Sequence, residues 1–396
     1  MFWRAHFGFL MDVIRLSFTA FGGPQAHLSL MLDRLARKKK YITESELLEL
    51  SAFCGILPGP SSTQTITGIA YKRGKLPLAA LTLLIWILPA TLAMLSLLVI
   101  LNFVDKGVFV RRNLMEFVQP MALGFMLYSA FKMGKAVLTY INAWIILALA
   151  ILISTLIPNV FTFPAIVLVS ALIANFRKDN LVPYKFKIPL RWSNIFLFFG
   201  IFLATAILGK VLRPEGAFVY RPFVLFENFY RFGAMVFGGG HLLYPLMYEQ
   251  FVAHKHFISA SEILTGYGIQ QALPGPVFSI AAYVGGLTMR DLGLTYEILG
   301  GTISAIAIFL PGTLLLFFLF PFWEHLRKFP FIKRSLMGIN AAAIGMLLST
   351  TFLSFKNMEG GLLDIFIITL TFILLATEKI PGALIVMSAI IAAWIW

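Results

Sequence analysis

Charge is what this chain has least of: only 13% of its 396 residues are Asp, Glu, Lys or Arg, while 59% are hydrophobic. Soluble domains carry about a quarter charged residues and under half apolar ones. No single water-soluble core hides this many oily side chains. With 39 Phe and 7 Trp and a mean hydropathy of +0.86, the shortage excludes a cytosolic enzyme, a DNA-binding protein and a disordered chain, and makes lipid the solvent. Cysteine is nearly absent. The lone Cys54 sits in an apolar stretch, which excludes a disulfide framework and a cysteine-based metal site. Acids are also few, 18 against 32 Lys+Arg, for a net charge of +14. In a soluble protein that excess would point to nucleic acid. Here the bases cluster between apolar runs, where they hold loops on the cytoplasmic side, so no nucleic-acid partner is expected. The apolar stretch at the start is broken by Asp12 and Arg15 and has no small-residue cleavage site; the expectation is insertion without a cleaved signal. No Gly-x-x-x-x-Gly-Lys-Ser/Thr loop occurs, so no nucleotide and no other cofactor is expected.

What is present are long uncharged runs. About 20 apolar residues cross a bilayer as a helix. Runs at 76–104, 114–131 (with Glu116), 136–176, 192–209, 298–323, 335–355, 365–377 and 380–396 predict spans. The 136–176 run is long enough for two helices turning near Ile157-Pro158-Asn159. The runs do not alternate with period two, so they are helices rather than barrel strands. Four further apolar stretches, 7–32, 44–71, 229–248 and 262–289, are interrupted near their middles by Phe21-Gly22-Gly23-Pro24, Pro58-Gly59-Pro60, Phe237-Gly238-Gly239-Gly240 and Pro274-Gly275-Pro276. A regular helix does not continue through such residues; these are predicted broken helices.

An internal repeat organises the chain. Adding 216 to each number superposes Phe21-Gly22-Gly23 on Phe237-Gly238-Gly239 and Pro58-Gly59-Pro60 on Pro274-Gly275-Pro276. Over 15–60, 15 of 46 positions are identical, Arg15 with Arg231 and Glu46 with Glu262 among them. After a small length change Leu88-Pro89 pairs with Leu310-Pro311, and Gly124 with Gly345. The expected organisation is a first repeat at 1–191, a linker helix at 192–212 and a second repeat at 213–396. Basic clusters at 34–40 and 72–75 mark two consecutive cytoplasmic loops, which makes 44–71 a re-entrant hairpin. The basic loop 327–334 of the second copy matches a first-copy loop predicted outside, so the copies are expected to lie inverted, flipped by the linker. The loop 210–231, placed outside yet carrying Lys210, Arg213, Arg221 and Arg231, is discordant. Full crossing by all four broken segments gives the same inversion but places 34–40 outside. The fold class expected is an all-α polytopic membrane protein of two inverted repeats with broken or re-entrant helices.

Inverted repeats with broken helices are the architecture of secondary transporters, whose substrate sits where half-helices meet. A half-helix start presents unpaired N–H groups and the positive end of its dipole, and proline suits the first helical position. Pro60-Ser61-Ser62-Thr63-Gln64 opens with three hydroxyls and an amide; Pro24-Gln25-Ala26-His27 opens with an amide and an imidazole. The second copy offers Gly240-His241 and Pro276-Val277-Phe278-Ser279. Four starts converging without a carboxylate would cradle a tetrahedral oxyanion.

The Phe-Gly-Gly-Pro and Leu-Pro-Gly-Pro motifs, repeated as Phe-Gly-Gly-Gly and Leu-Pro-Gly-Pro, resemble the chromate ion transporter (CHR) family, long-chain type, over nearly the whole chain. The resemblance implies a multi-pass exporter of chromate in the bacterial plasma (inner) membrane, conferring chromate resistance, with two oppositely oriented homologous domains and sulfate as a structural mimic. The matching residues are Phe21 to Gln25, Leu57 to Pro60, Phe237 to His241 and Leu273 to Pro276. The second copy has Gly240 in place of Pro24, and Val277 and Phe278 in place of Ser61 and Ser62, so the site is expected to lean on the first copy.

Blander roles compete at each residue. Gly22, Gly23, Gly238 and Gly239 would serve equally as packing glycines. Arg15 and Arg231, in membrane segments, either attract a dianion or snorkel to the interface. Glu46 and Glu262, the only repeated acids able to carry a proton, also read as capping-box residues with Thr43 and Ser259. His27 and His241 near kinks can simply satisfy freed backbone groups. His254 and His256 lack acidic partners for a metal, and Gln119, Gln270, Gln271 and Asn340 can join helices. A transporter or channel for sulfate or another small anion is the main alternative function. An enzyme acting on lipid phosphates would need a nucleophile, an acid or a metal cluster, and no such grouping occurs, so no enzyme is expected. The bilayer is one partner; the sequence leaves open whether the chain works alone or as a homo-oligomer.

Overall fold

The computed structural model describes residues 2–104, 108–157, 159, 162–175, 192–237, 240, 242–320, 330–356, 358 and 361–395. Every element among them is helical. In order these are α1 (Phe2–Thr19), α2 (Gly23–Met31, running into a π-helical turn at Leu32–Lys38), α3 (Glu44–Cys54), α4 (Ser61–Val104), α5 (Val108–Val137), α6 (Ile141–Leu156), α7 (Thr162–Ile173) and α8 (Trp192–Val211). They continue with α9 (Ala217–Met235), α10 (Leu243–Met247, running into a π-helical turn at Tyr248–His254), α11 (Ala260–Gln270), a 3-10 turn at Val277–Ser279 leading into α12 (Ile280–Leu287), α13 (Leu294–Leu319), α14 (Pro330–Lys356), α15 (Leu362–Ala376) and α16 (Gly382–Ile395).

Among the described residues, three helices are long and apolar enough to cross a membrane, Ser61–Ile100, Leu294–Leu319 and Arg334–Lys356. Within α4, Gly74 and Lys75 leave helical geometry, Lys75 at φ 57°, so the apolar run from residue 76 is a helix of its own. The predicted turn near 157–159 separates α6 from α7; Pro158 and the basic stretch 177–191 lie outside the described residues. All four predicted interruptions are real, since α1 ends at Thr19, α3 at Cys54, α9 at Met235 and α11 at Gln270. One detail differs. Pro60 precedes the first helical residue of α4, its carbonyl accepting the Gln64 N–H at 2.9 Å, and Pro24 is the second residue of α2. Proline thus sits one position off at each start, which costs nothing because neither N–H would be bonded.

The repeat extends to backbone geometry. Lys40 and His256 both have φ 51°, Gly59 and Gly275 have φ 107° and 109°, and the two π-helical turns are 216 residues apart. Both capping boxes form, Thr43 with Glu46 and Ser259 with Glu262.

By compactness the chain divides into two units whose segments interleave. One comprises Met1–Leu95, Asn180–Gly240 and Pro274–Ile332. Its core includes Phe9, Val13, Leu35, Leu47, Phe53, Trp86 and Leu316. Small residues let its helices cross closely: a Cβ on Gly233 of α9 would stand 2.1 Å from the Ile308 carbonyl oxygen of α13. The other unit comprises Ser96–Asp179, His241–Leu273 and Lys333–Trp396. There Gly345 and Gly338 of α14 lie against the Leu147 and Ser170 carbonyls, and Thr155 bonds Ser349 at 2.7 Å.

Outward faces are apolar. Leu84, Leu88 and Leu92 form an exposed stripe on α4, and Ile141, Trp144, Ile145, Leu152 and Leu156 another on α6. In water each such side chain would forfeit about 1.5–3 kcal/mol of burial; in hydrocarbon it forfeits none.

Candidate functional site: half-helix starts

The first-copy starts lie together in the first unit. Since the Gln64 N–H takes the Pro60 carbonyl, the N–H groups of Ser61, Ser62 and Thr63 have no helix carbonyl to reach. Ser61 is half-buried, and its hydroxyl has no partner among the described residues. Ser62, Thr63 and Gln64 are buried. The Thr63 hydroxyl accepts the Trp86 indole N–H at 3.2 Å. His27 of α2 joins the two starts: Nδ1 is 3.0 Å from the Ser62 hydroxyl, Nε2 is 2.9 Å from the Ala20 carbonyl, and the ring stands edge-on to Trp86. Gly22 is exposed, Gly23 and Pro24 half-buried, and nothing lies within 4 Å of a Cβ built on Gly23. The α2 start is therefore open.

Gln64 is a brace. Its Nε2 donates to the Pro58 carbonyl at 2.7 Å and to the Gly312 carbonyl of α13 at 3.0 Å. Both amide hydrogens are thereby spent. Its buried Oε1 has no partner among the described residues.

The two copies cross reciprocally within this unit. The Gly59 N–H donates to the Val236 carbonyl at 2.7 Å, and the equivalent Gly275 N–H donates to the equivalent Ala20 carbonyl at 2.8 Å. A Cβ on Gly59 would meet the Gly312 Cα at 3.2 Å, and one on Gly275 would meet the Ala90 Cβ at 3.1 Å, again at matching positions. Reciprocal contact between equivalent residues is the mark of an isologous arrangement. Each Pro-Gly-Pro turn, flanked by half-buried Pro58 or Pro274 and buried Pro60 or Pro276, is pinned by the other copy.

Their chemistry differs. At the second-copy start the Ser279 N–H bonds the Pro276 carbonyl at 3.0 Å, so the 3-10 turn leaves one fewer N–H free. Val277 and Phe278 replace the first two hydroxyls; Phe278 lies against Gly240. Ser279 is fully buried and its hydroxyl unpartnered among the described residues. Gly238, Gly239, His241 and the Gln25 side chain are outside what the structure describes.

Three of the four charged candidates are engaged in ion pairs or caps of their own. Arg15 is exposed on α1, with no ion pair among the described residues. Arg231 is half-buried, 3.4 Å from Glu227, and donates to Asn228 at 2.7 Å. Glu46 caps α3 and pairs with Lys72. Glu262 caps α11 and is buried. Sequence reasoning missed a larger cluster. Buried Asp12 takes Arg34 through Nε and Nη2 at 2.8 and 2.6 Å and the Tyr41 hydroxyl at 2.9 Å, while the Arg73 guanidinium lies 4.6 Å from the Tyr41 ring centre. The signal was Asp12 itself, since an acid in an apolar stretch requires a partner.

The first-copy starts thus present N–H groups and hydroxyls and bind no carboxylate among the described residues, which suits an anion. Comparison with known proteins agrees in kind. A family model described as chromate transporter matches residues 7–175 and 223–394. A chromate transport protein of Cupriavidus metallidurans is 24% identical over 346 residues, 85% of this chain and 79% of that protein. One of Pseudomonas aeruginosa is 22% identical over 402 residues, 96% and 90% of the two chains. An uncharacterized transporter of Methanocaldococcus jannaschii is 24% identical over 394 residues, 97% and 93% of the two. No solved structure matches the chain.

Proposed function

Because the chain belongs to the chromate transporter family, we propose that it exports chromate across the bacterial plasma membrane and so confers chromate resistance. Family membership makes it a membrane protein and an anion transporter rather than an enzyme. The observation that carries the reading of the site is the α4 start. Three consecutive N–H groups without helix carbonyls, the Ser61 and Ser62 hydroxyls and the α2 start held beside them by His27 form a donor-rich end of the helix dipole. Substrate binding is assigned to this first-copy cluster, with Gly22, Gly23 and Pro24 shaping its wall and Arg15 drawing the dianion toward it. Glu46 and Glu262, engaged as caps, are assigned a structural role. The reciprocal hydrogen bonds of the two Pro-Gly-Pro turns support two repeats in opposite orientation, joined through the linker helix 192–212 in a multi-pass arrangement.

Chromate accumulation by inside-out vesicles containing the protein, with and without excess sulfate, tests the reading. Uptake above empty vesicles that sulfate reduces is the expected result. A Ser62→Val variant at matched expression should lose about tenfold or more, the worth of a hydrogen bond to a charged group. Uptake of sulfate but not chromate would make sulfate the substrate on the same fold. Absence of uptake of either by correctly folded protein would refute both.

A further inference from the structure

We propose that His27 is a proton-binding site linked to the anion site, and that the chain takes up one proton together with its anion. This rests on reading the α4 start as the anion site. The Ala20 carbonyl only accepts hydrogen bonds, so Nε2, 2.9 Å away, carries a hydrogen. A neutral imidazole has a single N–H; Nδ1 is therefore bare and accepts the Ser62 hydroxyl hydrogen across 3.0 Å. In that state Ser62 has spent its hydrogen on the ring and turns a lone pair to any anion at the α4 start. Protonation at Nδ1 reverses the contact. The ring then donates to the Ser62 oxygen, and the hydroxyl hydrogen is released to donate to the anion. The chain from imidazolium through Ser62 to the anion is charge-assisted and correspondingly strong. One proton comes from solvent and stays on Nδ1 while the anion is bound; no other bond is made or broken.

The surroundings hold the ring in place for this exchange. The Ala20 carbonyl is also fixed by the Gly275 N–H at 2.8 Å, and the Trp86 ring stands edge-on, 5.5 Å between centres. The charged groups on the packed elements are engaged elsewhere. On α1, Asp12 binds Arg34 and Arg15 is exposed. In and beyond the turn after α2, Asp33 pairs with Lys38 and Arg37 with Glu44; on α4, Lys72 pairs with Glu46 and Arg73 covers the Tyr41 ring. The hydrogen bonds of His27 itself run to Ser62 and to the Ala20 carbonyl. The second copy has Leu243 and Phe278 at the positions of His27 and Ser62, which makes the stoichiometry one proton per chain.

The test is calorimetric titration of the purified full chain with chromate from about pH 5 to 8, the range in which an imidazole ordinarily changes charge, in buffers of different ionisation enthalpy. Wild-type affinity should fall about a hundredfold toward high pH, a usual upper size for coupling between two ligands, with linked uptake rising to about 0.8 of a proton per anion beyond that of chromate itself at mid-range. His27→Gln keeps one donor and one acceptor but cannot titrate; its pH dependence should shrink to that of the ion alone. Ser62→Ala, with His27 intact, should bind weakly and with the same flat profile. Equal pH dependence in wild type and His27→Gln, both binding chromate, would overturn the coupling and leave the anion site standing. Failure of the wild type to bind chromate at any pH would remove both. Should His27→Gln not fold, the wild-type proton count decides alone, a count of zero overturning the proposal.

Discussion

The two Pro-Gly-Pro turns share a backbone and differ in almost everything attached to it. Each places a glycine near φ 108°, with Gly59 at 107° and Gly275 at 109°, and each donates that glycine's N–H to the other copy. Around the first stand His27, Ser62, Gln64 and Trp86; the second has Leu243, Phe278, Ile280 and Ile308 at the equivalent positions. Each of these bonds ties a turn to the end of the helix before the other copy's Phe-Gly-Gly break, at Val236 or Ala20, so losing one leaves a carbonyl there without its donor. Side chains were under no such constraint. The first start carries hydroxyls and an amide, whereas Val277 and Phe278 stand in the second.

The comparison is open to attack at its shared element first. Gly59→Ala and Gly275→Ala each force a side chain into left-handed backbone with a contact near 3.1 Å, and each should cost about 1–3 kcal/mol. Thermal unfolding in detergent measures it, and a large loss at only one site would break the equivalence. Gln64→Leu comes next. It removes the two hydrogen bonds of a first-copy side chain, to the Pro58 carbonyl and to the Gly312 carbonyl of α13, costing about 1–3 kcal/mol, whereas Ile280→Leu at the equivalent second-copy position should cost less than about 1.5 kcal/mol. Similar losses would deny the first copy its special brace. The smallest effect belongs to an exposed pair away from both turns. The hydrogen bond from Lys132 holds the Glu378 carboxyl below its usual range. A depressed carboxylate stabilises above its unfolded value and loses that contribution as pH falls through the folded one. Glu378→Gln should therefore flatten the acid side of the stability profile slightly and leave chromate uptake unchanged; a change in uptake would extend the functional region beyond the first-copy start.

Much of the fold was legible in the residues. Glycine and proline at 21–24, 58–60, 237–240 and 274–276 announced the breaks because a helix needs N–H groups and right-handed dihedrals that those residues withhold. The Thr43 and Ser259 caps were legible for the same local reason. The candidate site was legible only as a set of residue types. Gln64 read as a donor for an anion and serves as a brace, because its acceptor on Gly312 is 248 positions away. Asp12 read as an interruption and is the hub of an ion-pair cluster, because Arg34 and Tyr41 return to it only after the chain has turned.

The sequence by itself determined that this protein lives in a membrane, that it is a repeat, and where its helices break, because each of those follows from apolar length and backbone capability within a few turns of chain. Which carbonyl each glycine meets, which nitrogen of His27 carries the hydrogen and which start remains a donor were decided only by the tertiary structure. A hydrogen bond depends on where two groups end up in space, and here those groups come from opposite halves of the chain or from opposite sides of a break.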